Sequence, residues 1–95
     1  MLDIRLEFDD KTIIALAGYD YGKKIFNEQV GEQVDIDQGI NLIFPDQIQK
    51  LASSFVQGFF STWVKRDGFQ KVLEKVHVQS VHQRIEHFIQ KNLIW

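Results

Sequence analysis

The chain has 95 residues, 44% of them apolar, a formal net charge of −2 and no cysteine. That length fits one domain with a modest core, spanning 1–95, and its eight phenylalanines argue against a disordered polar tail. Disulfide and thiolate chemistry are excluded. Basic residues are scattered, adjacent only at Lys23-Lys24 and Lys65-Arg66, which argues against a nucleic-acid partner. No apolar run approaches a membrane span and no signal-peptide core opens the chain, so a cytoplasmic protein with no membrane partner is expected.

Leu2-Asp-Ile-Arg-Leu-Glu-Phe8 alternates apolar with charged, the pattern of a strand wet on one face. Asp9-Asp10 is a turn signal, and Lys11–Leu16 is β-rich. These segments form either a hairpin, although the turn lacks the Gly of a tight primed turn, or an irregular extended crossing. Ala17-Gly-Tyr-Asp-Tyr-Gly22 leads into a helix with Asp20 as its cap. Gly22 falls in its first turns, where its helix cost is tolerable. Tyr21, Ile25, Phe26 and Val30 share one side, and Gly31 is the stop unless Glu32–Val34 adds a turn.

Asp35–Gly39 is a polar connection. Gly39-Ile-Asn-Leu-Ile-Phe-Pro45 reads as a strand, with Pro45 at its end because it lacks an N–H. After a short link comes the most apolar helix, from about Ser53 to Arg66. Phe55, Val56, Phe59, Phe60, Trp63 and Val64 recur as neighbouring pairs every four residues. Ser53 and Ser54 stand where an N-cap belongs. Asp67-Gly68 ends this helix, Phe69–Leu73 suits a helical turn, and Glu74–Gln79 reads as a further strand. Ser80 and Gln83 have capping-box spacing, opening an amphipathic helix over Val81, Ile85, Phe88 and Ile89. Strands alternating with helices predict an α/β domain, with a mostly parallel or mixed sheet of about four strands and helices packed on it.

Residues 40–64 resemble the STAS fold of bacterial anti-sigma-factor antagonists, and more closely a STAS-like family of unknown function. The residues that carry the likeness are Ile40-Asn-Leu-Ile-Phe44, Ile48-Gln-Lys-Leu51 and Ala52-Ser-Ser-Phe-Val-Gln-Gly-Phe-Phe60. Gly18–Phe26 adds a Gly-rich opening of the first helix. The resemblance implies a STAS-like fold and a regulatory module without enzymatic activity. Its protein partner would be a kinase-like ATPase or an anti-sigma factor. In the antagonists a kinase phosphorylates the serine at the helix start and the added charge breaks the complex. The matching position here is Ser53, with Ser54 beside it. Three positions depart from that pattern. Ala52 stands where an acidic residue commonly precedes the serines, Phe44 where an Asp commonly ends the strand, and Gln47 where a Gly follows.

Helix capping alone also accounts for a serine at either position. His77, His82 and His87 are the chain's histidines, and the spacing of five between His82 and His87 does not align them for a metal, so they are expected to face solvent. Lys23-Lys24 after Gly22 lacks the Ser/Thr of a phosphate loop, and no cofactor is expected. No nucleophile–base–acid set can be assembled. Trp63 is expected in the core. Trp95 is either docked on the domain or a contact for another chain. The alternative to a switched module is a plain interaction or immunity-type protein, homodimeric or not, with no phosphoswitch.

Overall fold

The computed structural model describes residues 1–93. The alternating opening forms β1 (Leu2–Arg5) and continues extended to Phe8, with Ile4, Leu6 and Phe8 buried and the residues between them exposed. β3 (Ile40–Ile43) lies between β1 and β5 (Val76–Gln79), and both pairings are parallel. Leu2 lies beside Ile40 and Ile40 beside Val76, so one face of the sheet carries Ile4, Ile40, Leu42 and Val76 into the core. The other face carries Asp3, Arg5, His77 and Gln79, all exposed. Ile43 on that outer face is nonetheless buried, with Arg5 and Gln79 as its cross-strand neighbours.

A second, two-stranded parallel ladder joins β2 (Ala15–Leu16) to β4 (Lys50–Leu51). Of the two routes open to residues 11–16, the chain takes the extended crossing. The Asp10 carboxylate accepts from both the N–H and the hydroxyl of Thr12, at 2.9 and 2.6 Å, making a local turn that sends the chain onward. The α/β class holds, but in place of one sheet of about four strands there are three strands and a separate pair, parallel throughout.

Among the described residues four α-helices pack on the inner face: α1 (Tyr19–Gln29), α2 (Ser53–Asp67), α3 (Phe69–Lys75) and α4 (Gln83–Asn92). With strands added in one direction, right-handed crossovers place successive helices on one side. α1 stops where Gly31 adopts a positive φ of 90°, and Glu32–Val34 does not prolong the helix but makes a separate turn, Val34 N–H to the Gly31 carbonyl at 3.4 Å. The Arg66 guanidinium fixes that segment to α2 by donating to the carbonyls of Glu32 (2.7 Å) and Val34 (3.0 Å). α4 starts later than the capping box predicts. Ser80 Oγ instead accepts from the N–H of His82 at 3.0 Å, His82 occupies the cap, and Val81 is left 66% exposed. Ile85, Ile89 and Leu93 are buried, and Phe88 is half-buried.

α1 and α2 run side by side at close range because a glycine stands on each at the contact. A Cβ on Gly22 would lie 2.5 Å from the Phe55 carbonyl oxygen and 2.7 Å from the Phe59 nitrogen. One on Gly58 would lie 2.7 Å from the Tyr19 carbonyl carbon. Beyond this crossing the aromatic rings interlock, with Phe26 edge-on to Trp63 at 5.0 Å and to Phe59 at 5.6 Å. Phe55, Phe59, Phe60 and Trp63 are essentially inaccessible, as the sequence pattern of α2 requires.

Candidate functional site

The β2–β4 ladder sets the geometry around the serine pair. Each strand runs almost directly into a helix, β2 into α1 through Ala17-Gly18 and β4 into α2 through Ala52. The Ala52 N–H donates to the Leu16 carbonyl at 2.8 Å, and Gln49 N–H to that of Ile14 at 2.8 Å. The starts of α1 and α2 therefore lie together at one end of the domain, and the glycine crossing holds them there.

Neither serine caps α2. The ladder carries extended backbone as far as Ala52 (φ −88°, ψ 151°), which becomes the cap residue and has no side chain able to accept a hydrogen bond. Ser53 and Ser54 are thereby pushed into the first helical turn. Ser54 Oγ accepts from the N–H of Gly18 at 3.0 Å, bridging the two helix starts. Ser53 is exposed, and no hydrogen bond engages its side chain among the described residues. Asp20 likewise does not cap α1, since Gly18 holds that position with a φ of 103°. Exposed Ile14 (48%) and Tyr19 (37%) flank the β2–α1 junction, Ile14 ahead of β2 and Tyr19 in the first turn of α1.

The Tyr19 ring lies along the outer side of the crossing, with Lys23 Nζ 5.9 Å from its centroid. The Ser61 hydroxyl beside the phenol lowers its pKa below the ordinary 10.0, aided by the charges of Lys65 and Lys23 and opposed by desolvation. Ser61 itself is buried, and its single hydroxyl proton has the Gly58 carbonyl oxygen, 2.9 Å from Oγ, as the competing acceptor.

A second concavity lies across the carboxyl ends of the three strands. This cleft of about 430 Å³ is lined by Arg5, Glu7, Ile43, Pro45, Asp46 and Gln79 among others. Open parallel sheets characteristically bind ligands at such strand ends. Here the floor is apolar and the rim mixed in charge, so the groups do not converge on one chemistry.

His82 Nε2 lies 2.9 Å from the Asp46 carbonyl oxygen and the ring is half-buried, whereas His77 and His87 face solvent as expected. Among the described residues, no group of three or more His, Cys, Asp or Glu side chains could hold a metal. Trp63 is buried in the aromatic cluster, with its indole N–H unpartnered among the described residues. Trp95 lies outside the described residues.

No family model, curated protein or solved structure matches the chain. No helix among the described residues is long and apolar enough to cross a membrane.

Proposed function

We propose that this chain is a non-enzymatic regulatory module that binds another protein through the joined starts of α1 and α2, with Ser53 as the switch. One observation carries the reading: Ser53 is exposed in the first turn of α2, whereas Ser54 is held by the Gly18 N–H. The first serine is accessible to a kinase and the second has a structural task. A phosphate on Ser53 adds nearly two negative charges at a helix N-terminus, where the dipole tolerates them. The domain would stay folded while an acidic partner surface would be repelled. Exposed Ile14 and Tyr19, on either side of the β2–α1 junction, offer apolar contact to a partner that extends past the helix starts. By its resemblance to the STAS-like family, the partner is a kinase-like ATPase or an anti-sigma factor.

The test is intact mass of the protein recovered from its native cells as wild type, Ser53→Ala and Ser54→Ala. One phosphate is expected on the wild type and on Ser54→Ala, and none on Ser53→Ala. Phosphate absent from all three, or lost only with Ser54→Ala, would refute the assignment.

A further inference from the structure

The outer strands of the three-stranded sheet leave their two edges in opposite states. On β1 and its extension, residues of odd number direct their backbone groups away from β3, because Leu2 and Leu6 donate toward it. That edge is guarded. The Gln29 carboxamide accepts from the Glu7 N–H at 2.8 Å and donates to the Glu7 carbonyl at 2.7 Å, in the manner of a pairing strand. Charged Asp3, Arg5 and Glu7 stand along it. Edge strands left without such guards pair with another chain.

β5 has no guard. Val76-His-Val-Gln79 contains no Lys, Arg, Asp, Glu or Pro. Gln79 O accepts from the Phe44 N–H on the β3 side, so the even residues face outward. The Val76 N–H is bonded to the Val72 carbonyl of α3. The Val76 C=O, both backbone groups of Val78 and the Ser80 N–H remain without a partner among the described residues. A cleft of about 330 Å³ opens beside them, lined by Val78, Ser80, Gln83, Glu86 and His87.

We infer that β5 pairs antiparallel with β5 of a second copy, joining two sheets into one. This goes beyond the switch reading and does not depend on it. With Val78 on the two-fold axis, each Val78 N–H donates to the Val78 carbonyl of the second copy, and each Ser80 N–H to its Val76 carbonyl. Every outward group named above is then matched. On the outer face His77 comes opposite Gln79 of the second copy. The Gln79 Oε1 already accepts from Asn41 Nδ2 at 3.0 Å, so its own amide N–H groups are left to donate across the joint. No like charges meet along the strand. The self-matching order of backbone donors and acceptors about Val78, and the His77–Gln79 pairing that the same register produces, favour a second copy as the occupant.

Sedimentation velocity across the micromolar range, with amide exchange, tests this. The wild type should sediment at twice the chain mass, with Val78 and Ser80 amides slowed as concentration rises. Val78→Pro removes an N–H that the monomer does not use and should sediment at one chain mass with an unchanged far-UV spectrum. His77→Lys with Gln79→Lys, both on the solvent face, places like charges opposite each other and should also give single chains. A wild type that is monomeric throughout would overturn the inference. So would a dimer in which these variants still pair, or one in which the Val78 and Ser80 amides exchange freely.

Discussion

Gly58→Ala isolates the helix crossing. In a free helix the change would stabilise by about 1 kcal/mol, because alanine is the better helix former. In this domain the added methyl would lie 2.7 Å from the carbonyl carbon and 2.9 Å from the Cα of Tyr19, both of them backbone atoms that no rotamer change can move aside. α1 and α2 must separate by roughly 1 Å, and a gap of that size forfeits a quarter to a half of the dispersion energy across it. The rings that lose contact across the gap are Phe26 on α1 and Phe55, Phe59 and Trp63 on α2, which meet Tyr21 and Phe26, and each of these four contributes about 2–3 kcal/mol through burial. Losing about a third of that sum outweighs the helix gain, for a net loss of about 2 kcal/mol, within the usual range for overpacking. For a domain of this size that lowers Tm by about 10 °C. Urea unfolding followed by far-UV circular dichroism measures the change. Asn27→Ala, an exposed substitution on α1, serves as the control and should move stability by less than about 0.5 kcal/mol. A Gly58→Ala protein as stable as wild type, or more so, would refute the claim that backbone contact sets the spacing of these helices.

Arg66→Ala should lower stability by about 1 kcal/mol, since it removes two hydrogen bonds to carbonyls that water then partly serves. It should also make residues 31–35 cleave faster under limited proteolysis, and unchanged cleavage would count against the tether. Asp37 is held below the ordinary carboxylate value of 3.8 by its hydrogen bond to Lys71, with desolvation opposing. A carboxyl depressed in the folded state stabilises above its unfolded pKa, and that contribution is lost as pH falls through the folded value. Asp37→Asn should therefore flatten the acid limb of the stability curve from about pH 4 downward, because its unfolded reference is 3.8. An identical limb would show that the exposed pair with Lys71 adds nothing measurable.

Long periodic segments were legible from sequence because burial imposes period. The alternation of Ile4, Leu6 and Phe8, the paired apolar residues of α2 and the Pro45 stop all lie where the pattern places them. β2 was legible only as part of the β-rich run Lys11–Leu16, and β4 not at all, since a two-residue segment has no period to read. Their pairing came with the serine correction, because the ladder prolongs extended backbone to Ala52 and moves the cap away from Ser53. Gly22 reads by itself as a tolerable cost early in its helix, and Gly58 has no reading of its own. Their meaning emerges only when two helices distant in sequence meet at them. Ser80 and Gln83 show the reverse error: the spacing of a capping box is present, yet the hydroxyl closes a two-residue turn first and the helix begins three residues after Ser80.

The placement of β3 also governs how the domain is made. Leu2 waits for Ile40 and Ile40 for Val76, so no strand of the main sheet can pair with a near neighbour in the chain. During synthesis the first third of the polypeptide leaves the ribosome with its apolar stripe unmatched. Closing such long loops precedes any reward from contact, which slows assembly and leaves it open to association in the meantime. A fragment ending before Ile40 has nothing to fold against, and one ending before Val76 exposes both the flank of β3 and the rings beneath it.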